Sequence, residues 1–180
     1  MLSQENSVLL VVDIQGKLAN LMHEHELVYR NISRLIKTCE ILHVPILWTE
    51  QAPDKIGSTI PVIHDLLFPM IKPITKRSFS CWASTDFIHA LQKTKRQQVV
   101  LTGIETHVCI YQTAADLQQH GFEVHMPADA TSARSHSSKE ITLDRLRHQN
   151  IVVTCAESCI CELLKTADHP KFKEVMSYIK

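Results

Sequence analysis

The chain has 180 residues with 19 basic and 19 acidic side chains, a size that predicts one domain over residues 1–180 built on one substantial core. Balanced charge without a Lys/Arg block lacks the electrostatic footprint of a nucleic-acid binder, so the expected partner is a small molecule and not a nucleic acid. The apolar N-terminal run, Val8–Val12, is too short for a signal sequence or a membrane span, which predicts no membrane partner, a cytoplasmic location and reduced thiols for the six cysteines.

In chain order, Ser7–Val12 reads as a strand buried on both faces that delivers Asp13 to its C-terminal edge. A turn or helix-capping aspartate is the plain alternative there. Leu27, Ile32, Leu35, Ile36, Cys39, Ile41 and Leu42 recur at helical spacing across Glu26–His43. Val44–Thr49 returns as a strand with Pro45 at its entrance, where a ladder donor can be spared. Glu50–Pro61 holds two prolines and a glycine and is predicted as loop, which makes Glu50 and Gln51 candidates to face a site. Val62–Leu67 suits a short helix, Ile71–Thr75 an edge strand that ends at Lys76, and Thr85–Lys93 a helix capped by Ser84 or Thr85.

Gln97–Tyr111 carries the most information. Val99, Val100 and Leu101 form a buried strand, Gly103 interrupts it, and a helical pattern from Thr106 runs to His120 and stops at Gly121. This corner puts Cys109 in a first helical turn, where unpaired backbone N–H groups and the helix dipole favour thiolate and so a nucleophile. A packed core thiol is the alternative. Phe122–Met126 reads as a fifth strand, Pro127–Ser135 as polar loop, Ser137–Gln149 as a surface helix and Ile151–Thr154 as a sixth strand. Glu157–Leu164 and a segment after His169-Pro170 close the chain as helices.

Six strands alternating with helices predict a three-layer α/β/α, Rossmann-like fold with a six-stranded parallel sheet. In the order 3-2-1-4-5-6, the first and fourth strands are neighbours at the reversal, and Asp13 and Cys109 flank the crevice where such sheets bind ligands. Lys76 also follows a strand. Together the three supply a carboxylate to take the thiol proton, a sulfur to attack an electrophilic carbon, and an ammonium to offset like charge. Phe79 and Trp82 are candidate pocket walls, with core packing as the alternative. Glycines only at 16, 57, 103 and 121 permit neither G-x-G-x-x-G nor a P-loop, so nucleotide-dependent oxidoreduction is excluded and no cofactor is expected. Cys155, Cys159 and Cys161 lack a C-x-x-C pair, and His107, two residues from Cys109, faces away from it on a helix.

Three separated motifs, Val11-Val12-Asp13-Ile14-Gln15, Lys76-Arg77-Ser78-Phe79-Ser80 and Thr102-Gly103-Ile104-Glu105-Thr106-His107-Val108-Cys109, resemble those of the isochorismatase-like cysteine hydrolase superfamily. The resemblance spans essentially the whole chain. It implies an Asp-Lys-Cys triad on Asp13, Lys76 and Cys109, and a cis peptide between Ile104 and Glu105 that turns backbone N–H groups toward an oxyanion. It also implies C–N bond cleavage of a small amide-like substrate through a Cys109 thioester, in a homo-oligomer. Gln15 joins Glu50, Gln51, Phe79 and Trp82 as candidate substrate contacts. Within the superfamily, Thr49-Glu50-Gln51 and His169-Pro170-Lys171-Phe172-Lys173 look closest to the isochorismatase-domain-containing group, whose substrate is generally unassigned. Nicotinamidases carry Asp-x-His and a further His after the second strand to hold a metal. This chain has Glu50-Gln51-Ala52-Pro53 there and His64 alone downstream, so no catalytic metal is expected. Cys109 argues against the vinyl-ether chemistry of true isochorismatases, which lack that cysteine. A non-enzymatic scaffold that retains the fold is the alternative reading.

Overall fold

The computed structural model describes residues 1–179. The elements run β1 (Ser7–Val12), α1 (Gly16–Asn20), α2 (His25–Ile41), β2 (Ile46–Gln51), α3 (Pro53–Ile56), α4 (Pro61–Leu67), β3 (Ile74–Lys76), α5 (Thr85–Thr94) and β4 (Gln98–Ile104). After β4 come α6 (Tyr111–Gln119), β5 (Glu123–Pro127), β6 (Thr131–Ser132), α7 (His136–Arg147), β7 (Val152–Thr154), α8 (Ala156–Leu164) and α9 (Phe172–Met176). All strand pairs are parallel, in the order β3-β2-β1-β4-β5-β7.

The sheet is sandwiched because its central strands are apolar on both faces. In β1, Leu9 and Val11 join Ile32, Leu35 and Ile36 of α2 and Ile160 and Leu163 of α8. Val8, Leu10 and Val12 point the other way, to Phe87 and Leu91 of α5, Leu117 of α6 and Leu146 of α7. Each Leu, Ile or Phe buried so completely contributes about 1.5–3 kcal/mol, which makes these two clusters the main support of the three layers.

The predicted topology holds, with one strand added. Pro127–Ser135, predicted as loop, contains β6, whose Thr131 and Ser132 pair with Gly103 and Ile104. At two residues, β6 is too short to leave a period in the sequence. The predicted sixth strand is therefore β7, in the same place at the sheet edge. α1 and α3 also form in stretches where no helix is predicted, and both are only four or five residues long.

The C-terminal ends of four strands meet along one rim. Val12 lies opposite Thr49 on one side and Gly103 on the other, and Gln51 lies opposite Lys76. Gly103 has φ +118°, and a Cβ there would overlap the backbone of Val12, so only glycine allows β1 and β4 to approach this closely.

Candidate active site

Asp13 leaves β1 with φ +54°, a left-handed conformation that aspartate tolerates better than most residues. Its backbone N–H donates to the Thr49 carbonyl at 3.2 Å. Both carboxylate oxygens are engaged: Thr49 Oγ1 donates to Oδ1 at 2.8 Å, and Lys76 Nζ donates to Oδ2 at 2.6 Å. The Lys76 and Asp13 side chains are 0% and 4% exposed. The ammonium also donates to Gln51 Oε1 at 2.8 Å and to the Ser78 and Phe79 carbonyls at 3.1 Å. Its three protons are thus shared among four acceptors.

Cys109 lies in a π-helical turn, Thr106–Ile110, that precedes α6, where a regular helical turn is predicted. The peptide bond between Ile104 and Glu105 is cis. Cys109 and Asp13 face one cleft of about 170 Å³, with Gln51 and Glu105 as its other polar lining. Leu18, Ile56, Phe79, Ile104 and Val108 form apolar walls. At the mouth, Arg134 Nε donates to Glu105 Oε1 at 2.9 Å. A larger groove of about 430 Å³ runs beside α2 and is lined by Arg30, Ser33, Arg34, Lys37 and Leu66, but it holds neither a cysteine nor a carboxylate.

The helix-dipole argument predicts a thiolate at Cys109, and the structure reverses it. Cys109 is 7% exposed, and burial is the largest of the influences that push its pKa above the ordinary thiol value. The Asp13 charge pushes the same way, and Lys76 offsets part of that. The resting group is a thiol with a carboxylate beside it. A second buried thiol, Cys81, lies against Thr49 Oγ1 at 3.9 Å and is pushed up to about 11, first by burial and then by Asp13.

Of the predicted substrate contacts, Gln51 and the half-exposed Phe79 line the cleft, and three others do not. Gln15 is fully buried: its Nε2 donates to the Gln51 and Gly57 carbonyls and its Oε1 accepts from Gln51 N–H at 2.6 Å, so it braces the rim from behind. Glu50 turns away to accept from Thr59 N–H at 2.7 Å and Thr59 Oγ1 at 2.8 Å. Trp82, partly buried, stacks on the exposed His120 at 4.3 Å and meets Phe122 edge-on, packing against the margin of the core. Among the described residues, no group of three or more His, Cys, Asp or Glu is placed to hold a metal ion, and His64 stacks on Phe68. Sequence reasoning missed Thr49, Cys81, Leu18, Ile56, Val108 and Arg134. Only Thr49 left a signal, as a hydroxyl at a strand end next to Glu50-Gln51.

The isochorismatase domain profile matches residues 7–158. Isochorismatase domain-containing protein 2 of Danio rerio is 38% identical over 178 residues, covering 99% of this chain and 89% of that protein. The structure titled MAR1 ribonuclease from Caenorhabditis elegans superposes with a TM-score of 0.93 at 35% identity, over 99% of this chain and 91% of that one. YcaC from Pseudomonas aeruginosa, solved with hexane-2,5-diol and covalent acrylamide, shares the fold at a TM-score of 0.91 and 21% identity, over 98% of this chain and 90% of that one.

Proposed function

The chain belongs to the isochorismatase family, and on that premise we propose that it is a cysteine hydrolase that opens the C–N bond of a small amide-like substrate through a thioester on Cys109. The observation that carries this reading is that Cys109 faces the same cleft as an Asp13 carboxylate held on both oxygens.

Asp13 takes the thiol proton as the sulfur attacks the carbonyl carbon, and so generates the nucleophile only when substrate is present. Lys76 holds the carboxylate in place at the cleft. With its protons committed to four acceptors, Lys76 has no donor for the developing oxyanion. That task falls to backbone N–H groups of the Glu105–Cys109 turn. Asp13 then returns the proton to the leaving nitrogen, the C–N bond breaks, and the acyl group stays on sulfur. Water, deprotonated by the same carboxylate, releases the acid and restores the thiol.

A ribonuclease reading, suggested by the name of the C. elegans relative, calls for cations along the cleft, and its lining contains none. Acrylamide, the additive bound covalently in the P. aeruginosa structure, is a fitting trap. Peptide mapping after exposure to it should place an adduct on Cys109, with the exposed Cys161 as internal reference. Cys109→Ala should lose that adduct and all release of ammonia from an amide panel. Undiminished ammonia release by Cys109→Ala would remove the nucleophile assignment.

A further inference from the structure

Building on the hydrolase reading, we propose that the group transferred to Cys109 is small, uncharged and apolar, so that the enzyme acts on short aliphatic or aryl amides and rejects amides that carry a carboxylate. The cleft of about 170 Å³ falls below the roughly 300 Å³ at which sites for drug-sized ligands begin, which limits the acyl group to a few heavy atoms. Its walls are the side chains of Leu18, Ile56, Phe79, Ile104 and Val108, none of which offers a hydrogen bond.

The charges that face this space are both negative, those of Asp13 and Glu105. The nearest ammonium, on Lys76, lies behind Asp13 with every proton engaged. Arg134 lies at the mouth, 60% exposed, and is paired with a Glu105 side chain that is only 11% exposed. An anionic substrate would therefore find no free cation to receive it, because Lys76 and Arg134 are both engaged. A cationic one would find Glu105 already neutralised and Asp13 already matched by Lys76. Neutral amides alone enter without an uncompensated charge.

Two reagents of nearly equal size isolate the charge. Cys109 alkylation by neutral iodoacetamide and by anionic iodoacetate, each divided by its rate with free glutathione, should differ at least about 100-fold in favour of iodoacetamide. In Glu105→Gln, which leaves Arg134 unpaired at the mouth, that ratio should shrink about tenfold. In a turnover arm, ammonia release from butyramide and benzamide should exceed that from succinamate and glycinamide by a similar margin in kcat/KM. Equal normalised alkylation rates, or succinamate or glycinamide turned over as well as butyramide, would overturn the proposal and leave the hydrolase reading intact. Selective alkylation with no amide turned over would instead sink the hydrolase reading, and the substrate class with it.

Discussion

Removing both members of the Asp13–Lys76 pair should destabilise the protein by less than the sum of removing each one alone. At 2.6 Å and an effective dielectric constant near 20, the two charges attract by about 6 kcal/mol, set against the cost of taking both out of water. Lys76→Met leaves the Asp13 carboxylate buried with only the Thr49 hydroxyl as side-chain donor, and Asp13→Asn leaves the ammonium surrounded by three neutral oxygens. A charge orphaned in this way typically costs about 3–5 kcal/mol, which for a chain of this length lowers the melting temperature by roughly 10 °C. The Asp13→Asn/Lys76→Met double variant carries no orphaned charge, so the two losses should fall short of additive by about 1–3 kcal/mol. Urea denaturation of the four proteins under one condition closes the cycle. Strict additivity, or single losses below about 1 kcal/mol, would mean that the pair is not the buried, mutually dependent unit described here.

Gly103→Ala should be among the worst single substitutions, with a loss above about 4 kcal/mol or no soluble protein, because the added methyl overlaps the Val12 backbone at φ +118°. A melt within about 3 °C of the parent would contradict that geometry. Thr49→Val keeps the shape but removes the donor to Asp13 Oδ1, and should cost about 1–3 kcal/mol in urea together with a loss of ammonia release from amides. Retention of full activity would show that this hydrogen bond does not position the carboxylate. Burial pushes the Cys39 thiol up to about 12 and the Cys81 thiol up to about 11, against an ordinary value of 9.0. Above pH 9.0 the unfolded chain releases these protons while the folded chain keeps them. The stability they contribute is therefore complete below pH 9.0 and disappears toward pH 11–12. Urea midpoints should fall across that interval, and Cys39→Ala, whatever its absolute stability, should fall less steeply. Parallel slopes for the two proteins would refute the assignment.

The architecture was legible because its strongest signals lie on its most buried strands. Uninterrupted apolar runs at Ser7–Val12 and Val99–Leu101 mark β1 and β4, the centre of the sheet, and the polar residues that end them mark the rim. The direction of side chains beyond the strand ends was not legible. Gln15, Glu50 and Gln51 look alike in sequence as polar residues at strand ends, yet only Gln51 turns into the cleft, because hydrogen bonds to Thr59 and Gly57 hold the other two. For Trp82 the sequence leaves pocket wall and aromatic packing both open, and its partners, His120 and Phe122, lie about forty residues on. The ionisation of Cys109 was misread for a similar reason. The dipole is a local feature of the turn, whereas desolvation depends on residues from across the chain.

The flanking of β1 by β2 and β4 has a consequence for synthesis. β1, β2 and β3 leave the ribosome before β4 and can bring Asp13 to Lys76, whereas the other side of β1 pairs with residues 98–103, which arrive later. Until they do, the growing chain presents the unpaired backbone edge of a strand that is apolar from Val8 to Val12, the kind of surface that recruits stray strands. Translational pausing ahead of β4 should therefore raise chaperone dependence far more than pausing after it, and Cys109 is the last of the three residues to take its place.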